Sequence, residues 1–158
     1  QAACIAMAVG DRDIKGIRME LQRLGVAGSP SVMASVIRDY KQVNYSYQGN
    51  ATLAQARQWL QDGELLITHG WFTSSGHVII LDGCTENRFD VKDPWSEFDG
   101  STYSYNKPSN FYDGYYSDLL IYCACVAGAT YADAATLYRR KVDVDYNRTG
   151  MWIHRFKP

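Results

Sequence analysis

The spacing of apolar residues changes at Gly63, and this change limits which folds the chain can adopt. Before Gly63, apolar residues recur every three or four positions, which predicts amphipathic helices. Residues 4–24 fit either two helices or one helix that is broken near Gly10. Ser29 and Thr52 are of the residue types that cap helices, and they predict the starts of two more. The first part of the chain is therefore predicted to be helical.

Short runs rich in β-branched and aromatic residues follow Gly63, bounded by turn residues, and they predict strands. The predicted strands are residues 64–72, 77–82, 89–93, 119–126 and 151–156. The tyrosine-rich stretch 101–117 predicts an ordered surface loop, and residues 131–141 predict a further helix. The sequence therefore predicts an α+β domain in which N-terminal helices pack on an antiparallel β-sheet.

The size and charge of the chain exclude several classes of protein. Its 158 residues include 16 basic and 17 acidic side chains, which give a net charge of −1 at pH 7. This length, without a linker, predicts one domain over residues 1–158, and because Gln1 already resembles a helix interior we expect a short N-terminal segment to be missing. A near-neutral chain is not attracted to phosphate backbones or acidic lipids, so we expect no nucleic-acid role. No apolar run approaches the roughly 18 residues of a membrane span.

Four cysteines are too few for a dense disulfide framework in a chain of this length. Cys123 and Cys125 would face the same way on a strand, which is a poor geometry for a mutual disulfide. We therefore expect free thiols rather than the disulfides of a disulfide-rich secreted protein. The cysteine and histidine spacings resemble no zinc site, and no glycine-rich phosphate loop is present, so we expect neither a metal nor a cofactor.

The segment 76–95 predicts a β-hairpin that brings an imidazole next to a carboxylate. With the turn centred near Thr85, residues whose numbers sum to 170 lie opposite each other, namely Leu81 and Phe89, Ile79 and Val91, and His77 and Asp93. All three pairs share one face because strand side chains alternate, and the polar pair lies at the open end. A slip of one residue would place His77 and Asp93 on opposite faces.

The predicted contact between His77 and Asp93 has two interpretations. In a catalytic pair, the carboxylate orients the ring, selects its tautomer and favours the imidazolium form, as a general base requires. In a structural pair, His77 is a hydrogen-bonded histidine at a strand end and Asp93 only begins an Asp-Pro turn. The residues of the hairpin alone leave both interpretations open.

Cys4 is the nucleophile that the sequence offers for such a pair. A thiol at a helix N-terminus lies near the positive end of the helix dipole, which lowers the pKa of the thiol. The alternative is a small apolar residue of the core, since Cys4 stands among Ala, Ile and Met.

These residues resemble the papain-like cysteine peptidases that process double-glycine bacteriocin leaders, and related stand-alone domains of bacteria and phages. That family shows Cys-Gly-x-Ala-Cys/Ser-Leu-Ala-Met, then Gly-His with apolar residues, then Asp-Pro about 16 residues later. The matching segments are Ala3–Met7, Gly76–Leu81 and Asp93–Trp95, within residues 1–95. The resemblance implies a papain-like fold, a Cys-His-Asp triad of Cys4, His77 and Asp93, and hydrolysis of an amide bond in a peptide or a peptidoglycan stem peptide.

The motif can be aligned in two registers. Matching Ala6-Met7 to the Ala-Met of the family places the nucleophile one residue before Gln1 and gives Cys4 the second Cys/Ser position. The other register makes Cys4 the nucleophile. We also expect His69, on or beside a strand near the cleft, and Trp95 to contact the substrate.

Two functions of different classes follow from the sequence. The first is a cysteine peptidase. The second is an inactive papain-like binding domain or virion component that has lost its nucleophile. The sequence leaves the oligomeric state open.

Overall fold

The computed structural model describes residues 1–26, 28–108 and 110–158. The helices are α1 (Ala2–Val9), α2 (Ile14–Leu24), α3 (Pro30–Arg38), α4 (Leu53–Gln61), α5 (Asp118–Tyr122) and α6 (Tyr131–Arg139), and α5 continues as a π-helical turn (Cys123–Ala127). The strands are β1 (Asn44–Ala51), β2 (Leu65–Gly70), β3 (His77–Thr85), β4 (Arg88–Asp93), β5 (Tyr112–Ser117) and β6 (Met151–Lys157). No helix among these residues is long and apolar enough to cross a bilayer.

The six strands form one antiparallel sheet in the order β1-β6-β2-β3-β4-β5. Side chains alternate between the two faces of the sheet, and both faces are covered by helices. On one face Ile67, Val78 and Ile80 pack against helices α1 to α3. On the other face Leu66 and Ile79 pack in a second core with α4, α5, the π-helical turn and α6. The predicted α+β architecture is confirmed.

The sequence signals for the ends of the helices are also confirmed. Gly10 ends α1 in the left-handed conformation, with a φ of 73°, so residues 4–24 form two helices. The Ser29 side chain accepts a hydrogen bond from Val32 N at the start of α3. Thr52 forms a capping box with Gln55 at the start of α4.

Residues 119–126, predicted as a strand, instead lie in α5 and the π-helical turn. Ser117 caps this helix by accepting a hydrogen bond from Leu120 N. The segment is buried on all sides, and a short apolar run without periodicity does not distinguish a buried strand from a buried helix. The predicted loop 101–117 contains β5 at its end, which pairs with β4. Strand β1 was not predicted, because its sequence is polar and tyrosine-rich. In the structure its side chains show no clear alternation of burial.

The β3–β4 hairpin has a different register from the predicted one. Leu81 pairs with Val91 rather than with Phe89, and Cys84 is the partner of Phe89. The turn lies at Glu86 and Asn87, and a bulge follows Leu81, so the pairing is displaced from the predicted symmetry. Beyond the bulge the displacement is two residues, which returns side chains to the same face. His77 and Asp93 therefore share a face as diagonal neighbours rather than as a directly opposed pair.

Candidate active site

His77 and Asp93 are in direct contact at one end of the sheet. His77 is the first residue of β3 and Asp93 is the last residue of β4, and His77 Nε2 lies 2.7 Å from Asp93 Oδ1. The His77 side chain is 17% exposed, whereas the Asp93 side chain is fully buried. The contact expected from the hairpin is present, with an accessible imidazole held by a buried carboxylate.

Asp93 is held by two tyrosines of the tyrosine-rich stretch 101–117, a contact that the sequence did not predict. The hydroxyls of Tyr105 and Tyr116 donate to Asp93 Oδ2 at 2.5 and 2.8 Å, and Trp95 N donates to Oδ1 at 3.1 Å. Burial, followed by the charge of Asp93, raises the pKa of both tyrosine hydroxyls, so both remain protonated donors. With His77, the carboxylate has four hydrogen-bond partners, which fix its orientation.

The His77 ring is also fixed by aromatic neighbours. Tyr105 contacts it edge to face with ring centroids 5.2 Å apart, and Phe72 does so at 6.3 Å. Because Nε2 is bonded to Asp93, Nδ1 is the nitrogen left for proton transfer, and it has no hydrogen-bond partner among the described residues. The pair therefore has the geometry of an oriented general base.

A cleft with a volume of about 710 Å³ opens beside His77 at this end of the sheet. Residues at the start of α1, the end of β2 and the start of β3 line this cleft. The π-helical turn, the residues after it and the start of β6 complete the lining. Its lining includes Gln1, His69, Gly70, Trp71, His77, Cys125, Gly128 and Trp152. Among the residues that the structure describes, no Asp, Glu, Lys or Arg lines the cleft. Most of the side chains that a ligand meets here are aromatic or small.

Cys4 does not line this cleft. Its side chain is fully buried under the sheet, and Sγ donates to the carbonyl oxygen of Val78 at 3.4 Å. Burial raises the pKa of the Cys4 thiol to about 12, so the expected lowering by the helix dipole is wrong. Desolvation outweighs the dipole at this position, and Cys4 has the surroundings of a core residue.

Gln1, rather than Cys4, brings the start of α1 to the cleft. Gln1 is the N-cap of α1 and lines the cleft together with His77. Its Nε2 is buried and has no hydrogen-bond partner among the described residues. The start of α1 therefore shares the cleft with His77 at Gln1, three residues before Cys4.

The other three cysteines are also free thiols. Cys125 lies in the wall of the cleft, where burial raises the pKa of its thiol to about 12. Burial likewise raises the pKa of Cys123 to about 11. Neither thiol is activated in this structure. The described residues contain no group of three or more His, Cys, Asp or Glu side chains that could hold a metal ion.

The two residues expected to contact substrate occupy different surroundings. His69 lines the cleft, and its Nε2 lies 3.0 Å from the Nε2 of the fully buried His154. Trp95 is 66% exposed and lies outside the lining of the cleft. The role of Trp95 at the site is its backbone N–H on Asp93.

Comparisons with known proteins give no relative to set beside this site. No family model matches the chain, and neither does any curated protein or solved structure.

Proposed function

We propose that this domain is a papain-like, thiol-dependent hydrolase that cleaves an amide bond in a peptide or in the stem peptide of peptidoglycan. The observation that carries the proposal is the His77–Asp93 pair beside a cleft that is also lined by the start of α1. The motif order at Ala3–Met7, Gly76–Leu81 and Asp93–Trp95 supports the same assignment.

The lining of the cleft supports one of the two registers for the nucleophile. Gln1 lines the cleft, whereas Cys4 is buried with its thiol on the carbonyl of Val78. We therefore favour the register in which the nucleophilic cysteine is the residue that precedes Gln1. A thiol there would lie near the positive end of the α1 dipole, beside the cleft that Gln1 and His77 line.

In the proposed reaction, His77 Nδ1 takes the thiol proton, and the thiolate attacks the carbonyl carbon of the scissile amide. Backbone N–H groups at the start of α1 stabilise the tetrahedral oxyanion. The C–N bond then breaks, and the amine leaves with the proton from His77. Water, deprotonated by His77, hydrolyses the thioester and restores the thiol. Asp93 keeps Nε2 bonded throughout and stabilises the imidazolium.

The test is hydrolysis of purified peptidoglycan and of uncharged peptides by the natural chain extended upstream of Gln1 by ten residues. We expect new amine termini, measured by mass spectrometry. His77→Ala should abolish their release, whereas Cys4→Ala should leave it largely intact. Equal release by the His77→Ala variant would contradict the proposal.

A second function, an inactive binding domain, is favoured by one observation. Cys4 is the only thiol near the start of α1 in the described residues, and burial keeps it protonated. If the residue before Gln1 is not cysteine and no amine is released, this second function replaces the first.

A further inference from the structure

Three side chains form a hydrogen-bonded series that ends at the cleft and that the proposed reaction does not use. The hydroxyl of Tyr45 lies 2.7 Å from His154 Nδ1, and His154 Nε2 lies 3.0 Å from His69 Nε2. The three residues come from the neighbouring strands β1, β6 and β2. They lie on the sheet face opposite to Asp93, and His69 brings the series to the cleft.

One arrangement of protons gives every donor inside this series an acceptor. Among the described residues, the Tyr45 hydroxyl has His154 Nδ1 as its only hydrogen-bond partner, so donation to Nδ1 satisfies it. His154 then carries its proton on Nε2 and donates to His69 Nε2. A neutral His69 consequently carries its proton on Nδ1. This nitrogen has no hydrogen-bond partner among the described residues and is a donor left for a ligand.

The surroundings select an uncharged ligand. Burial, followed by the charge of the amino terminus, lowers the pKa of His69 to about 4. Burial, followed by His69 and the charge of Arg38, lowers the pKa of His154 to about 3, so both rings are neutral near pH 7. No Asp, Glu, Lys or Arg lines the cleft in the described part of the chain. Trp152 contacts the His69 ring edge to face at 5.7 Å and adds an apolar wall. A peptide carbonyl is uncharged and supplies the hydrogen-bond acceptor that the His69 Nδ1–H group lacks among the described residues.

We infer that His69 Nδ1 donates a hydrogen bond to a backbone carbonyl of an uncharged peptide segment in the cleft, and that His154 and Tyr45 are positioning residues that set this polarity. The inference rests on the proposed function only in taking a peptide as the occupant of the cleft. It assigns His69 to binding and leaves proton transfer to His77.

The proton assignment can be tested without any substrate. We expect ¹⁵N NMR of the histidine rings at pH 7 to show His69 protonated on Nδ1 and His154 protonated on Nε2. Tyr45→Phe should mix the two tautomers of His69, although Tyr45 does not touch His69. Tyr47→Phe is the matched control, because the Tyr47 ring also lies against His154, at 5.0 Å, without a hydrogen bond to it. A His69 ring protonated on Nε2, or an equal response to both variants, would overturn the inference.

Ligand binding is tested with acetyl-alanyl-alanine amide as the probe, titrated into the chain while the His69 and His77 ring signals are followed. We expect the His69 signals to move, and His69→Phe to weaken binding roughly fivefold, the loss of one hydrogen bond. His69→Gln, which retains a donor, should weaken it less. Binding that moves only His77, binding unaffected by His69→Phe, or no binding would overturn the inference. None of these results alters the hydrolysis test of His77, so the two proposals fail separately.

Discussion

Two histidines reach the same cleft, and their partners give them different chemistry. His77 is bonded to a buried carboxylate that is held by three further donors. His69 is bonded to a second, deeply buried imidazole that is held by a tyrosine. An anionic partner stabilises a ring that gains a proton, whereas a neutral and desolvated partner keeps its neighbour neutral. In the proposals made above, the carboxylate partner suits His77 to proton transfer and the neutral partner suits His69 to hydrogen bonding.

Removal of Asp93 should have the largest effect. Asp93→Ala leaves His77 and the hydroxyls of Tyr105 and Tyr116 without their shared acceptor, so we expect a loss of about 4 kcal/mol in the free energy of unfolding. Amide hydrolysis should fall at least about 100-fold. Urea unfolding and amine release measure the two effects.

The matched control for Asp93 is Asp90→Ala on the same strand. Asp90 Oδ1 has no hydrogen-bond partner in the described part of the chain, so we expect a change below about 1 kcal/mol in the free energy of unfolding and unchanged hydrolysis. If Asp93→Ala and Asp90→Ala lowered stability and hydrolysis by similar amounts, the hydrogen bonds of Asp93 would have no particular role.

The His69–His154 pair should make stability depend on pH. The pKa of His69 is lowered to about 4 and that of His154 to about 3, from an ordinary 6.5. As the pH falls below 6.5, the unfolded chain binds protons first, so the stability present above pH 6.5 is lost toward pH 4. For His69 alone the loss is about 3 kcal/mol.

Urea unfolding at several pH values between 6.5 and 4 measures this loss. Carboxylates titrate over part of the same range, so the readout is the difference between the wild-type chain and His69→Gln. We expect the variant to lose less stability over this range. Identical pH dependence in the two chains would show that His69 is not held neutral.

Tyr116→Phe should have a smaller effect than Asp93→Ala. The Tyr116 hydroxyl donates to Asp93 and accepts a hydrogen bond from Phe98 N at 2.9 Å, and both contacts are buried. We expect a loss of about 2 kcal/mol in unfolding free energy and about tenfold in hydrolysis. Tyr112→Phe is the control, because its ring stacks on Tyr116 while its hydroxyl bonds at the surface. If Tyr112→Phe lowered stability and hydrolysis more than Tyr116→Phe does, the Tyr116 hydroxyl would not be the group that holds Asp93.

Trp95→Ala should have the smallest effect. The Trp95 side chain is 66% exposed outside the cleft, and the substitution retains its backbone N–H. We expect hydrolysis within about twofold of the wild type and a stability change below about 0.5 kcal/mol. A loss above tenfold in the hydrolysis assay would restore the expectation that this ring contacts the substrate.

The sequence could predict the parts of the site that depend on local periodicity. Strand alternation placed His77 and Asp93 on one face, and that result survived a wrong register because the displacement was two residues. Helix caps and the glycine at position 10 predicted where the first helices begin and end.

The remainder of the site depends on tertiary contacts that local patterns do not encode. Tyr105 lies in a stretch without regular structure, and Tyr116 lies on the unpredicted β5, so nothing local connected either residue to Asp93. The burial of Cys4 depends on the packing of α1 against β3. The contact of His69 with His154 joins residues 85 positions apart.

The central claim is that His77 acts as the base for a thiol at the start of α1, and selective alkylation tests it most directly. The natural chain, extended upstream of Gln1, would be treated with iodoacetamide near pH 7 and mapped by mass spectrometry. The account predicts rapid labelling of one cysteine immediately before Gln1, at least about tenfold slower labelling in His77→Ala, and no rapid labelling of Cys4. Labelling of that cysteine at the same rate with and without His77, or the absence of any reactive thiol there, would contradict it.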